Sequence, residues 1–210
     1  MYVPESFRIS DFQTLADLLE RHAFAALVTN TSEGLVASHV PLLLERGSRD
    51  AIVGHLARAN SQWRQFDGRS EALAIFQGPH AYVSPSWYAS APAVPTWNYA
   101  AVHVYGRPRL IEDIERVQSI LYRLVARYEG DRATPWDPES LPADFKDRVL
   151  KAIVAFEMPI ERIEGKFKLG QNRSPEDRMG TIQGLLEEGG AYGSELAELT
   201  LAMTGRNTRP

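Results

Sequence analysis

Apolar residues open the chain at helical spacing. Phe12, Leu15, Leu18 and Leu19 recur every three or four positions up to about His22, which aligns one stripe for burial and predicts a helix. Ser10-Asp11-Phe12-Gln13 just ahead has capping-box spacing. The rhythm then shortens. Compact apolar runs at Phe24–Thr29, Leu35–Leu44, Ala51–Leu56 and Ala72–Phe76 are separated by turn-rich pieces such as Thr31-Ser32-Glu33-Gly34 and Arg46-Gly47-Ser48-Arg49-Asp50, the pattern of an antiparallel meander.

Two further strands are expected at His80–Ser84 and Tyr99–Ile111. Five of the 13 prolines fall from Pro79 to Pro108, and because proline cannot donate to a ladder, this density predicts an irregular loop between them. Ile114, Val117, Leu121, Leu124, Val125 and Tyr128 mark one face of a helix stopped at Gly130. Ala133–Asp144 reads as a surface connection, Phe145–Ala152 as a short helix, and Ile153–Ile163 as a late strand whose partner is distant in sequence. Ser174 as N-cap, Pro175 at the first helical position, and Glu176 and Asp177 in the first turn announce a helix to about Glu188. Gly189-Gly190 breaks it, and Ser194–Met203 forms a last helix. The expected fold is mainly β with peripheral helices, a closed barrel rather than a doubly wound parallel sheet.

Composition narrows the chemistry. The 210 residues suffice for a substantial core, and the absence of cysteine excludes disulfides, thiolate nucleophiles and Cys-ligated metals. A net charge of -4 offers nucleic acid no global attraction. No apolar run approaches the roughly 20 residues that span a bilayer, and Met1–Phe12 lacks the features of a signal peptide; the expectation is a cytoplasmic protein without a membrane partner. His22, His39, His55, His80 and His103 show no ligand pair at helical spacing and no HExxH, so no metal site is expected. His39 and His103 face a pocket or serve as hydrogen-bonded structural histidines. GxGxxG after a first strand, the P-loop and GxSxG are all missing.

Three segments are too polar or too specific for plain scaffold. His55–Trp63 carries Arg58, Ala59 and Asn60, where small residues admit a ligand and arginine offers a donor fork for phosphate; the other reading is a capped helix start with Trp63 in the core. Tyr82–Tyr99 includes Ser84, Trp87, Thr96, Trp97 and Asn98. It reads either as a rigid aromatic wall with fixed polar groups for a flat ring or as a proline-braced loop plugged by its tryptophans. Gly165–Arg173 collects Lys166, Lys168, Gln171, Asn172 and Arg173 before a helix N-terminus, either an anion-binding edge or a solvated strand end.

Met1-Tyr2-Val3-Pro4, Ser38-His39-Val40-Pro41, His55–Trp63, Val94-Pro95-Thr96-Trp97-Asn98-Tyr99 with Val102-His103, and Lys166–Arg173 together resemble the PaiB family of FMN-binding negative transcriptional regulators. The resemblance covers nearly the whole chain. It implies the FMN-binding split β-barrel of pyridoxamine-phosphate oxidase-like proteins, a homodimer, and FMN sites at the subunit interface. Residues 1–173 are then the FMN-binding split-barrel domain, and 174–210 a helical extension packed on it. The implied cofactor residues are Arg58, Ala59, Asn60, Trp63, Ser84, Trp87, Thr96, Trp97, Asn98, Lys168, Gln171, Asn172 and Arg173. Arg58 and Lys168 are assigned to the phosphate, Trp87 or Trp97 to the ring face, and Asn98 and Gln171 to its polar edge.

The sequence departs from the family pattern at two places. Asn60-Ser61-Gln62-Trp63 stands for the family's Asn-Pro-Gln-Trp, and Lys168-Leu169-Gly170-Gln171-Asn172 for Lys-Leu-Ser-Gln-Asn, which removes a hydroxyl at 170. The resemblance implies a regulator, while the charge speaks against direct DNA binding and for action through redox chemistry, a ligand or another protein. The alternatives are an FMN-dependent oxidoreductase acting on a small molecule and a haem-binding split barrel with a histidine ligand.

Overall fold

Asp11, not Ser10, starts the first helix. Its carboxylate accepts from the Thr14 N–H at 2.9 Å and the Thr14 hydroxyl at 2.5 Å, while Gln13 turns to Asp17. In the computed structural model, which describes residues 1–206, strand β1 (Arg8–Ile9) precedes this helix, α1 (Phe12–Arg21). Leu15, Leu18 and Leu19 are buried, as their spacing requires.

Strands β2 (Phe24–Thr31) and β3 (Gly34–Pro41) pair as a hairpin from Phe24 opposite Pro41 to Thr31 opposite Gly34. The expected single run to Leu44 is interrupted at Leu42, whose N–H bonds the Ala23 carbonyl at 2.8 Å. Beyond it β4 (Leu43–Glu45) pairs instead with β5 (Ala51–Ala57). The expected strands at 72–76 and 80–84 are one, β6 (Ala72–Val83). Gly78 lies in the join: a Cβ there would lie 2.9 Å from the Leu18 side chain and 3.2 Å from the Ala100 carbonyl, so it is a close-packing residue inside a strand.

Strand β7 (Thr96–Gly106) begins earlier than expected, and Arg107-Pro108 separates it from β8 (Arg109–Leu110). Helix α2 (Ile114–Glu129) is capped by Asp113, which accepts from the Glu115 N–H at 3.0 Å. Gly130 ends it in right-handed geometry, φ -58°, rather than the left-handed conformation that favours glycine. Helix α3 (Ala143–Lys151) leads into β9 (Ile153–Lys168), which continues past the expected end at Ile163. Helices α4 (Pro175–Glu188) and α5 (Gly193–Arg206) follow, with the Ser174 hydroxyl accepting from the Asp177 N–H at 3.1 Å.

The strand order is β3-β2-β6-β7-β9-β5-β4, with β1 and β8 also pairing β9. The pairings of β2 with β3 and β6, of β4 with β5, and of β1, β5 and β8 with β9 are antiparallel, but the sheet is not the meander expected. β5 pairs with β9 from Ala51 opposite Pro159 to Ala57 opposite Ile153. That is the long-range partnership expected of the late strand, and it removes β5 from the side of β6. The chain divides into two compact units. One holds Met1–Leu18, Gln77–Val102 and the described residues from Glu164 onward. There α4 packs on α5 and on the Pro85–Trp87 turn.

The other unit holds Leu19–Phe76 and His103–Ile163. Its core includes Leu43, Val53, Ile120 and Leu124, with Ile111 against them. Buried Glu157 on β9 takes Arg109 at 2.5 Å and also Arg116, while Glu45 takes Arg116 at 2.9 Å and Arg123 at 2.8 Å. This chain of charges ties α2 to β4, β8 and β9. Among the described residues no helix is long and apolar enough to cross a membrane.

Candidate functional site

The end of β9 and the residue after it alternate Lys166, Phe167, Lys168 and Leu169. Phe167 and Leu169 are buried; Lys166 and Lys168, on the opposite side of the pleat, are buried and half-buried. The Lys166 ammonium lies over two rings, 5.4 Å from Tyr2 and 5.2 Å from Tyr99. Lys168 Nζ donates to the Trp97 carbonyl at 2.8 Å and to the Thr96 hydroxyl. Burial, then the charge of Lys166, holds the Lys168 pKa below its ordinary value.

The chain next turns sharply. Gly170 has φ +79°, the left-handed region where a Cβ is strained, which gives the departure from the family's serine a backbone reason. A Cβ at 170 would meet Arg178 Cγ at 3.8 Å, and Arg173 Cγ and Asn98 Nδ2 at 3.9 Å, so these side chains converge on the turn. Gln171 braces it from within: its Oε1 accepts from the Leu169 N–H at 2.8 Å and its Nε2 donates to the Phe167 carbonyl at 2.5 Å. The Arg173 N–H closes on the Gly170 carbonyl at 2.9 Å, and Asn172 is exposed. The Arg173 guanidinium lies 4.3 Å over the Tyr88 ring. Arg178 Nε is buried without a hydrogen-bond partner.

Among the described residues no carboxylate pairs with Lys166, Lys168 or Arg178. Two neighbouring lysines and a buried guanidinium N–H without an acceptor make a donor set that an anion completes. A phosphate monoester, with nearly two charges at neutral pH, fits it.

The same β7 start supplies the aromatic surface. Trp97 is 54% exposed, edge-on to Tyr82 at 6.4 Å and 6.3 Å from His80, whose ring lies 4.8 Å from Tyr192. With Ser84 and Trp87 these residues line an open cleft of about 440 Å³. Ser84 caps the Pro85–Trp87 turn by accepting from the Ser86 N–H at 3.2 Å. Trp87 also serves the packing role: a Cβ at Gly184 would stand 2.2 Å from its ring, and one at Gly180 2.0 Å from its carbonyl, so the glycine face of α4 exists to admit it. Asn98 is buried.

The first candidate segment lies in the other unit. Arg58 spends its guanidinium on backbone, with Nε to the Lys151 carbonyl at 2.7 Å and Nη2 to the Ile153 carbonyl at 2.8 Å. Asn60 caps Ser61–Gln65, accepting from the Gln62 N–H at 3.0 Å and donating to the Ser38 hydroxyl at 2.8 Å. Trp63 Nε1 donates to the Arg58 carbonyl at 2.9 Å, and Ala59 is exposed. This arrangement is the capped helical turn of the alternative reading, although Trp63 is only half-buried.

The cofactor residues expected from the sequence include neither Arg178 nor Tyr192; Tyr82 entered only as the start of the aromatic segment, and His80 only as one of the five histidines. The i, i+2 spacing of His80 and Tyr82 was a readable signal, since both project from one face of β6. Arg178 stands one helical turn after Ser174. Nothing local points to Tyr192, which reaches the cleft from between α4 and α5.

Residues 1–162 match the family described as "Putative FMN-binding domain". The chain is 37% identical over 202 residues to "Protease synthase and sporulation protein PAI 2" of Bacillus subtilis, covering 95% of this chain and 96% of that protein. Among solved structures, the flavocytochrome Anf3 of Azotobacter vinelandii superposes with a TM-score of 0.63 at 15% identity, over 85% of this chain and 78% of that one. A FAD and heme binding protein of Mycobacterium smegmatis superposes with a TM-score of 0.57 at 16% identity, over 82% and 78%. These likenesses show the mainly β split-barrel fold with helices. Sequence match, fold and a cation set suited to a phosphate agree, and the chain belongs to the FMN-binding PaiB family, with FMN as its cofactor.

Proposed function

We propose that this chain is a cytoplasmic, homodimeric FMN-binding regulator of PaiB type that acts on transcription indirectly, through the redox state or occupancy of its flavin or through a partner. The observation that carries the flavin site is the direct link between Lys168 and Trp97: one residue's ammonium is fixed on the other's carbonyl. In this reading Lys168, Arg173 and Arg178 hold the phosphate, and Trp97 and Tyr82 flank the ring. FMN when bound supplies reversible electron and hydride acceptance. The protein's part is to fix the phosphate with charge-assisted bonds and cover a ring face. We read 1–173 as the flavin-binding domain and 174–210 as its helical extension.

The net charge of -4 supports indirect regulation, because phosphate neutralisation dominates DNA affinity. Fluorescence titration tests the cofactor site: saturable quenching is expected for FMN and weaker quenching for riboflavin, and no saturation with either would remove the site. Sedimentation equilibrium tests the dimer, which a folded monomer at micromolar concentration refutes.

A further inference from the structure

The unit formed by Leu19–Phe76 and His103–Ile163 contains an apolar cavity that the flavin reading does not use. We propose that this cavity, between α2 and α3, is a second ligand site that takes a small uncharged aromatic molecule bearing a hydroxyl group. Its volume is about 260 Å³, with Leu121, Leu124 and Val125 from α2, Val149 and Leu150 from α3, and Trp136 from the connection. Protein interiors are close-packed, so an apolar void of this size between two helices stands out. Here Trp136 is 46% and Val149 43% exposed.

Size and charge select the ligand class. An apolar cavity of about 150 Å³ accommodates benzene, so this one suits one or two fused rings and is too apolar for a phosphate. Its charged residue, Lys146, is already committed: Nζ donates to Glu139 at 2.8 Å, and the Tyr122 hydroxyl donates to the same carboxylate. A carboxylate ligand would have to break that set.

The hydroxyl follows from His55, the residue that β5 contributes to the lining. Its Nδ1 is buried without a hydrogen-bond partner, and such a group is costly to leave unsatisfied. Burial lowers the pKa of the imidazole, which favours the neutral ring. Nδ1 of a neutral imidazole is a donor in one tautomer and an acceptor in the other, and a hydroxyl answers both.

Calorimetric titration of the full chain with 2-naphthol, with naphthalene as the control lacking the hydroxyl, tests the site. Saturable 2-naphthol binding is expected. Leu150→Trp and Val125→Trp, which fill the cavity, should each weaken it at least about tenfold while FMN loading is unchanged. His55→Phe should weaken 2-naphthol about tenfold and leave naphthalene unaffected. In the unaltered chain, which needs no variant to fold, 2-naphthol should shift the side-chain NMR signals of His55 and Trp136. No saturable binding, or binding that survives both filling variants, overturns the site. Equal effects of His55→Phe on both probes overturn the hydroxyl assignment. Because neither probe is a flavin, these results stand apart from the success or failure of the FMN reading.

Discussion

Lys168 Nζ donates a 2.8 Å hydrogen bond to the Trp97 carbonyl, so the cation at the end of β9 is fixed to the residue that carries the exposed indole. A phosphate drawn to the one brings its attached ring system beside the other. Lys168→Glu replaces attraction with repulsion, and FMN affinity should fall at least about tenfold, roughly 1.4 kcal/mol. Riboflavin, which lacks the phosphate, should change far less. Isothermal titration with both flavins measures the difference, and equal losses would remove Lys168 from the phosphate.

Arg58 should behave differently. Its guanidinium holds the carbonyls of Lys151 and Ile153, joining the chain after β5 to the start of β9. Arg58→Glu therefore loses fold stability, about 1–3 kcal/mol for two charged hydrogen bonds discounted for exposure. Thermal melts should show the loss, and both flavins should weaken alike. A selective loss of FMN with an unchanged melt would return Arg58 to the phosphate.

Gly170→Ser restores the hydroxyl of the family pattern at a left-handed turn. The backbone strain should cost about 1–2 kcal/mol of stability. The new hydroxyl would stand among Arg173, Arg178 and Asn98, so FMN should bind more tightly while urea unfolding moves to lower denaturant. Weaker FMN binding in a folded variant would show that the turn faces away from the phosphate.

Asp177 provides a pH test. The Ser90 hydroxyl, at 2.6 Å, and the Ser90 N–H, at 2.9 Å, stabilise its carboxylate and hold its pKa below the ordinary value. A folded-state pKa below the unfolded one contributes stability that is complete above about pH 3.9 and fades as pH falls through the folded value. Asp177→Asn should lower the urea midpoint near neutral pH and flatten its decline in acid. A parallel decline in both proteins would show that Asp177 adds nothing to the acid transition.

The sequence by itself determined the features whose causes are local. The stripe Phe12–Leu19, the α2 face from Ile114 to Tyr128, and the Ser174-Pro175 start of α4 were all legible, because capping and helical periodicity depend on neighbours within a turn or two. Motif order along the chain was sufficient to identify the FMN-binding family. Tertiary structure decided what depends on distant residues. β5 lies against β9 because pairing and burial across the sheet, not order in the chain, choose a strand's neighbour, and Gly78 stands inside β6 where Leu18 and Ala100 leave no room for a side chain. Arg58 and Lys168 looked alike as cations beside strand ends, yet one found backbone carbonyls that satisfy its fork and the other stayed beside a second lysine without a carboxylate. That difference is a balance of desolvation and available acceptors, which only the folded chain sets.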